Sequence, residues 1–515
     1  MRWTLSGVRG GWRPLVRFAI EQSSGKWRII DNGRSASHNW SLETDERIHT
    51  TSVDMGVATL RRLRELLGPF SSSRVPVSTT QDMKRAFRQL GVRDEDRSLH
   101  IVALWHPARA QWLFGELDGL AFGLGAAVLE FNRVPAHLVA FARRWFAIPV
   151  LNFYDDFRIT DFADIVGSLD VELFSSANET FEDVMKFIGW LLDPDKKQGP
   201  ARRVRFLGVI EDATDAAEDD DVKLRTDEDR RLKLKLEIDE AISTKKCPSR
   251  AMCSIVGKLM HVAESYPGRL GRGMISSLTS HVAGSVAELD GAALHALHFQ
   301  SFLLSTPRYK SIPLGKAAFP PSVVISDASW NDLDHLQLHG RVCFLAFVPH
   351  MGLRVGGVMD IPYGSKLVSL LEQRKTQIQA AETLGPLLAL WFANRILAST
   401  AATFFVDNIS GMCCLNKGGS RKRDLSAVNL GVTLGLCRYD IRPWWDYVES
   451  ASNVSDGGSR VGLQDLDAPK LGVKLLNITD FSFPEDFPGS SPRQWDEWWH
   501  RADEASVHFI SASVA

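Results

Sequence analysis

A mixed α/β (α+β) architecture spread over several domains is what this sequence predicts, and three observations carry it. Short β-prone runs alternate with stretches of helical period through residues 17–210 and again through 322–449. A basic, helix-rich stretch at 226–300 separates the two. Acidic residues end apolar runs in both halves, Asp155 and Asp156 in the first, Asp327 and Asp407 in the second. At 515 residues the chain has room for roughly three or four domains.

Residues 17–30 alternate apolar and polar around Ser23–Gly25, which predicts a hairpin. Met55, Leu60, Leu63, Leu66 and Leu67 have helical spacing and stop at Gly68–Pro69. Residues 98–115 predict two strands about His106–Pro107, 127–146 a helix, and 149–160 a strand–turn–strand unit turning at Asp155–Asp156. A helix at 178–193 and a strand at 203–210 follow. The acidic, Ala-rich run Glu211–Asp221 is expected to be a solvated loop. The helical stretch carries Arg230, Arg231, Lys233, Lys235, Lys245, Lys246, Arg250 and Lys258. Gly268–Gly273 has no strand before it and reads as a turn between helices, not a phosphate loop. A linker is expected around Pro313–Pro321, then a β-rich run (322–360), helix (377–398), strand (402–407), helix (422–436) and strand (439–449). From about 463 a Pro-, Asp- and Trp-rich tail runs to Trp495, Trp498, Trp499 and beyond.

Hydrophobic residues make up 44% and charged residues 24%, an ordinary globular balance. Net charge is −2, so any nucleic-acid site must be a local groove of Lys and Arg. None of the six cysteines forms a CxxC pair, which argues against a zinc ribbon or redox motif and for buried free thiols. The first twenty residues lack an uninterrupted apolar core, so no signal peptide is expected. The apolar run Leu384–Ala393 is about half of the ~20 residues a membrane helix needs, and reads as a core helix.

Phe153-Tyr154-Asp155-Asp156-Phe157 sets two carboxylates at a tight turn between apolar strands. Such neighbours repel unless cations join them, and two divalent ions ~3.5–4 Å apart would also drive in-line phosphoryl transfer. Alone, such a pair is usually an ordinary surface turn. Asp82, after the β-prone Val75–Val77, offers a third carboxylate, and Phe87 an aromatic ring near a sugar; singly, they would suit a helix cap and a core residue.

Together these motifs resemble retroviral and retrotransposon reverse transcriptases, from about 17 to 210. Phe18-Ala19-Ile20, Gly25-Lys26-Trp27-Arg28, Asp31 and Asn39 resemble the fingers hairpin, where Arg28 would hold the incoming triphosphate with help from Lys26. Gln22 stands near the family's other triphosphate-contacting Lys. Asp82-Met83-Lys84-Arg85-Ala86-Phe87 resembles the first palm motif, with Asp82 a metal ligand and Phe87 the gate against ribonucleotides. Phe122-Gly123-Leu124 with Ala127, Phe131 and Arg133 resembles the template- and nucleotide-contacting motif, with Ala121 and Val128 where Pro is usual. Phe153-Tyr154-Asp155-Asp156 resembles the YxDD box, with Phe for the usual Tyr. Gly189 with Lys197, then Phe206-Leu207-Gly208, resemble the two motifs that follow; Lys197 would be a proton donor to pyrophosphate.

A second constellation joins Asp327 after Val323–Ser326, Glu382 on an amphipathic helix, Asp407 after Phe404–Val406, and Asp456 before Gly457-Gly458-Ser459-Arg460. Acids converging from strand ends and a helix suit a two-metal nuclease, though each alone would suit a solvated strand end. Their order, and the SxxNxADxxSR-like ending Ser450–Arg460, resemble the ribonuclease H domain of retrotransposons. The spacing from Asp327 to Glu382 is long for that family and suggests an insertion near His335–His339; no His is assigned a role. The final Asp456 differs from the Glu usual in transposases and integrases.

The resemblance implies a polymerase fingers–palm domain, a helical thumb or connection, and a ribonuclease H-like α/β domain. The expected boundaries are a short, truncated leader at 1–16, fingers and palm at 17–210, acidic loop and thumb/connection at 211–318, ribonuclease H at 319–462 and the tail at 463–515. It implies an RNA-directed DNA polymerase (a nucleotidyltransferase) with ribonuclease H activity, of the long-terminal-repeat or tyrosine-recombinase retroelement type. Mg²⁺ is the expected cofactor, two per active site, with Mn²⁺ as a substitute. Expected partners are RNA template, DNA primer, dNTPs and RNA–DNA hybrid, with no membrane, in cytoplasm or nucleus. The alternative is a decayed relic that only binds nucleic acid. The fingers begin almost at Met1, so a polyprotein fragment or truncated product is expected.

Overall fold

A computed structural model describes residues 14–514 except 22–24, 26, 36, 41–45, 72–73, 165–175, 284–286, 316–318 and 331–336. Lys26, Gln22, most of the first hairpin's turn and His335 therefore lie outside the described residues. The chain divides into two compact units, Met1–Val222 and Lys223–Ala515.

In the first unit, Val150–Phe153, Asp156–Asp164, Arg74–Asp82 and Gln198–Ala201 form a four-stranded sheet in that order, each strand antiparallel to its neighbour. Side chains alternate between its faces. Phe157 and Ile159 are buried with Phe131 and Val139 of helix Gly125–Phe146 and Phe181 and Met185 of helix Ser176–Phe187. Arg158 and Thr160 take the other parity. Arg158 is fully buried, hydrogen-bonded to Thr160 and, at 3.0 Å, to Ser78, and ion-paired with Glu211. Helix Val53–Leu67 packs there at Gly56, where a Cβ would sit 2.4 Å from the Glu211 carboxylate.

A second sheet runs Trp27–Asn32, Leu15–Glu21, Ile101–His106, Gln111–Glu116. The first two strands are the expected hairpin, paired from Val16↔Asn32 to Glu21↔Trp27. The strand expected at 203–210 is instead a hairpin, Arg203–Phe206 with Val209–Asp212. Leu207 (φ 51°) and Gly208 (φ 78°) supply the two positive φ angles that a two-residue type I′ turn requires. The solvated loop expected at Glu211–Asp221 holds at Thr214, Glu218 and Asp219, which are exposed, but is corrected at its start: Glu211 and Asp212 are buried, neutralised by Arg158 and Arg203, and Ala213 and Ala216 are buried with them.

The second unit is built on a six-stranded sheet ordered Arg442–Tyr447, Ala401–Val406, Ser322–Ser329, Leu338–Val348, Leu353–Pro362, Leu475–Asn477. Three consecutive antiparallel strands (322–362) are flanked by two parallel strands reached through helices, a ribonuclease H-like α/β sheet. Helix Ile378–Leu397 is buried almost all round, as the apolar run predicts for a core helix. Helices Glu228–Thr244, Ser249–Glu264, Ile275–Ala283 and Gly291–Ser305 contribute to the same continuous core as the sheet.

The segment expected as a tail is part of this unit. Leu475–Asn477 pairs in parallel with Leu353–Pro362. Helix Pro492–Val514 buries Trp495, Trp498, Trp499, Ala502, Ser506 and Phe509 along one stripe. Trp391 and Trp498 meet at 3.9 Å between ring centroids.

Candidate functional site

The antiparallel register places Asp82, last residue of its strand, directly opposite Asp156, first residue of the next. Asp155 occupies the turn between, after Tyr154 at φ 54°, and its carbonyl accepts from the Met83 N–H at 3.0 Å. The three carboxylates expected to converge are thus brought together at one end of the sheet. Burial, followed by the charge of Asp82, raises the Asp155 pKa, while Lys196 and Arg28 oppose the rise. Burial, then Asp155 and Asp82, push Asp156 up to about 6. The Oδ1 of Asp82 is enclosed without a hydrogen-bond partner.

The other oxygen of Asp82 is paired with Lys196, a residue the sequence reading passed over for its neighbour. Lys197 instead pairs with Glu182 at 2.6 Å. A 3₁₀ turn at Pro194–Lys196 sets this phase, and two adjacent lysines give no sign of which side each will face.

Arg28 stands 5.4 Å over the Phe122 ring, and its charge is felt at Asp155. The hairpin is tied to the 122–125 loop beneath it. Buried Asp31 is paired with Arg17 (2.7 Å) and Arg88, and its N–H donates to the Phe122 carbonyl at 3.0 Å. Asn39 donates to the Gly123 carbonyl (3.0 Å) and accepts from the Gly125 N–H (2.8 Å), satisfying a free donor at the start of helix Gly125–Phe146. Gly123 has φ 122°, and a Cβ there would fall 2.0 Å from the Asp31 carbonyl, so only glycine fits. Phe87 is held face to face with Phe131 (4.5 Å) and edge-on to Phe122 (5.6 Å), after a reversal through positive φ at Arg85 and Ala86. Gly189 closes the helix before the Lys197 region with φ 81°.

In the second unit, Asp327, Glu382 and Asp407 offer carboxylate oxygens all within 4.8 Å of one another. Glu382 can come this close because Gly385, one turn along the same helix face, lets the helix touch the central strand; a Cβ there would meet the Ser326 Cβ at 2.5 Å. Burial is the main cause that pushes Glu382 up to about 10, with Asp407 and Asp327 adding to it. Asp327 is likewise raised, chiefly by burial. The Oε2 of Glu382 has no hydrogen-bond partner. Asp456 lies outside the tight trio, paired with Arg460 at 2.8 Å, though its charge acts on Asp327.

Four polar residues of the 450–460 stretch each hold an acid. Ser450 donates to Asp407 (2.9 Å), Asn453 to Asp327 (3.2 Å), Ser459 to Asp327, and Arg460 to Asp456. The spacing of Ser450–Arg460 in the sequence carries no sign of these individual roles. Gly458 packs the short helix Asp456–Val461 onto the sheet, its Cβ position 2.4 Å from the Cys343 sulfur.

Among the described residues, Asp327, Glu382 and Asp407 are the group whose oxygens are close enough together to hold one divalent cation, whereas Asp82, Asp155 and Asp156 are neighbours in register with Lys196 on one Asp82 oxygen. Their donors are all carboxylate oxygens, which suit hard cations such as Mg²⁺. Each group also includes an enclosed oxygen without a partner, and mutual repulsion that a cation would relieve. The basic helical stretch is less available than expected. Arg231 is buried on Glu228 and the Leu304 carbonyl, Lys235 pairs with Asp239, and Lys258 with Glu237.

No protein-family model and no curated protein sequence matches this chain. Among solved structures it is similar to a foamy viral protease–reverse transcriptase in complex with RNA/DNA hybrid, with 13% identity and a TM-score of 0.42 over 84% of this chain and 50% of that one. It is also similar to a foamy viral protease–reverse transcriptase dRH in complex with double-stranded DNA, with 11% identity and a TM-score of 0.41 over 84% of this chain and 65% of that one. The chain spans half of the first of these and under two-thirds of the second.

Proposed function

We propose that this chain is an RNA-directed DNA polymerase whose second unit cleaves RNA in RNA–DNA hybrids. The observation that carries the reading is the meeting of Asp82 with Asp155 and Asp156 across one antiparallel register, beside an arginine-bearing hairpin. Asp82, Asp155 and Asp156 would hold two Mg²⁺. Bound there, the ions supply activation of the primer 3′-hydroxyl and stabilisation of the leaving pyrophosphate. Arg28 would take the triphosphate, the Gly123 loop would sit under it, and Phe87, locked by two neighbouring rings, would fill the space of a ribose 2′-hydroxyl. Lys26 would assist Arg28. Lys196, at Asp82, is better placed than Lys197 to act on the acidic group.

In the second unit Asp327, Glu382 and Asp407, with Asp456 at the margin, would hold two further Mg²⁺. Ser450, Asn453 and Ser459 keep the carboxylates oriented. RNA template, DNA primer, dNTPs and hybrid are the partners in this reading, and a long-terminal-repeat or tyrosine-recombinase retroelement is the proposed source class. Among the described residues no helix is long and apolar enough to cross a membrane; a cytoplasmic or nuclear site belongs to the proposal.

The test is Mg²⁺-dependent primer extension on an RNA template, beside cleavage of a labelled hybrid. Asp155→Asn or Asp156→Asn should cut extension by roughly 10² or more, since each removes several kcal/mol of charge stabilisation. Glu382→Gln should abolish cleavage and spare extension. Unchanged extension in the Asp variants removes the polymerase assignment. Salt-sensitive hybrid binding with neither activity in the unaltered chain would instead identify a binding relic.

A further inference from the structure

The second unit contains a cavity of about 840 Å³ away from its carboxylates. It lies among helices Gly291–Ser305, Arg423–Arg438 and the start of Pro492–Val514. Its walls are mainly apolar and include Phe299, Leu303, Leu434, Trp495 and Trp499. Such a volume and lining are those of a small-molecule site.

The charges at its rim are unequal. Arg438 is neutralised by Asp496 (2.8 Å) and Asp503 (3.1 Å), and Arg493 by Glu497 (2.8 Å). Arg308, also on the wall, has neither a hydrogen bond nor an acidic partner among the described residues, and its Nε is closed off from solvent without an acceptor. A partly buried guanidinium beside apolar walls lacks the anion that such a group ordinarily holds.

We propose that this cavity binds an amphipathic organic anion, its apolar body against Phe299, Leu303, Trp495 and Trp499 and its carboxylate or equivalent head on Arg308. The guanidinium supplies a planar, bidentate contact for the head, and the indole rings supply rigid apolar area for the body. The site touches three helices at once, so an occupant would tie the helical segment to the C-terminal helix and raise the melting temperature of the unit. None of this depends on the polymerase reading.

The test uses the full chain and three probes: decanoate, decanol and acetate, followed by calorimetry, thermal melting and tryptophan fluorescence. Decanoate should bind saturably at one site, with decanol at least about ten-fold weaker and acetate without effect, because head and body contribute separately. Arg308→Met should weaken decanoate by about ten-fold and leave decanol unchanged. Leu303→Trp should obstruct the apolar wall on which the body lies and weaken both. Equal binding of decanoate and decanol, unaltered decanoate binding in Arg308→Met, or no saturable binding would each overturn the proposal. Should Leu303→Trp fail to fold, the Arg308→Met comparison decides alone, since that side chain has no hydrogen bond or ion pair to lose among the described residues and unchanged decanol binding reports an intact cavity.

Discussion

Replacing Gly385 by Ala adds one methyl group where helix Ile378–Leu397 meets the central strand of the second unit. The new Cβ would sit 2.5 Å from the Cβ and 2.7 Å from the Oγ of Ser326. Ordinary contact begins near 3.4 Å, so the helix must retreat by about 0.9 Å. Ser326 cannot swing aside, because its Cβ is fixed to a strand paired on both edges. Overpacking of this kind costs about 1–3 kcal/mol, and the rigid neighbour argues for the upper end. The better helix propensity of Ala returns about 1 kcal/mol, leaving a net loss of about 2 kcal/mol. The larger effect falls on Glu382, one turn away, whose oxygen must stay with those of Asp327 and Asp407. A shift of about 1 Å can reduce a reaction by about 10²-fold. Urea denaturation and hybrid cleavage measure the two effects. Ser326→Gly in the same chain should restore both, because it removes the atoms that clash. Full cleavage by Gly385→Ala, or failure of Ser326→Gly to rescue it, would refute the close-approach argument.

Arg158→Met should destabilise the first unit by about 3–5 kcal/mol in urea melts, because Glu211 is left buried and unpaired; an effect under about 1 kcal/mol would mean that the ion pair is dispensable. Lys196→Met should lower the Mg²⁺ concentration that half-stabilises the protein in thermal melts, since the ammonium competes with a cation for Asp82; a higher requirement would contradict that. Glu382 and Asp327 have pKa values raised by burial, so without metal the folded chain holds protons that the unfolded chain releases. Their contribution to stability is then greatest below the ordinary carboxylate range and, for Glu382, falls as pH rises from about 4.5 towards about 10, by about 1.4 kcal/mol per pH unit for each proton. Urea melts in chelator between about pH 5 and pH 8 should show this decline, Mg²⁺ should flatten it, and Glu382→Gln should remove its share; stability that rises over this range would contradict the assignment.

Asp82, Asp155, Asp156, Asp327 and Asp407 were legible because each ends an apolar run or lies at a tight turn, whereas Glu382 and Asp456, on helices, were legible only from their order in the motif. Long-range partners were not. Nothing local marks Arg158 as the counter-charge that draws Glu211 inside, so the 211–221 run read as solvated. Lys197 was preferred to Lys196 because the choice rests on the phase of one short turn. The C-terminal helix was legible but missed. Trp495, Trp498, Trp499, Ala502, Ser506 and Phe509 follow helical spacing, and only the Pro and Asp residues before them suggested a tail.

The added edge strand and the tryptophan-lined helix have a practical consequence for anyone preparing the sheet of the second unit by itself. Ending a fragment at residue 462 would strip Leu475–Asn477 from Leu353–Pro362 and bare the surface of Trp391 that meets Trp498. An open strand edge beside exposed aromatic surface invites self-association, so such a fragment should aggregate where one carried through Val514 stays dispersed.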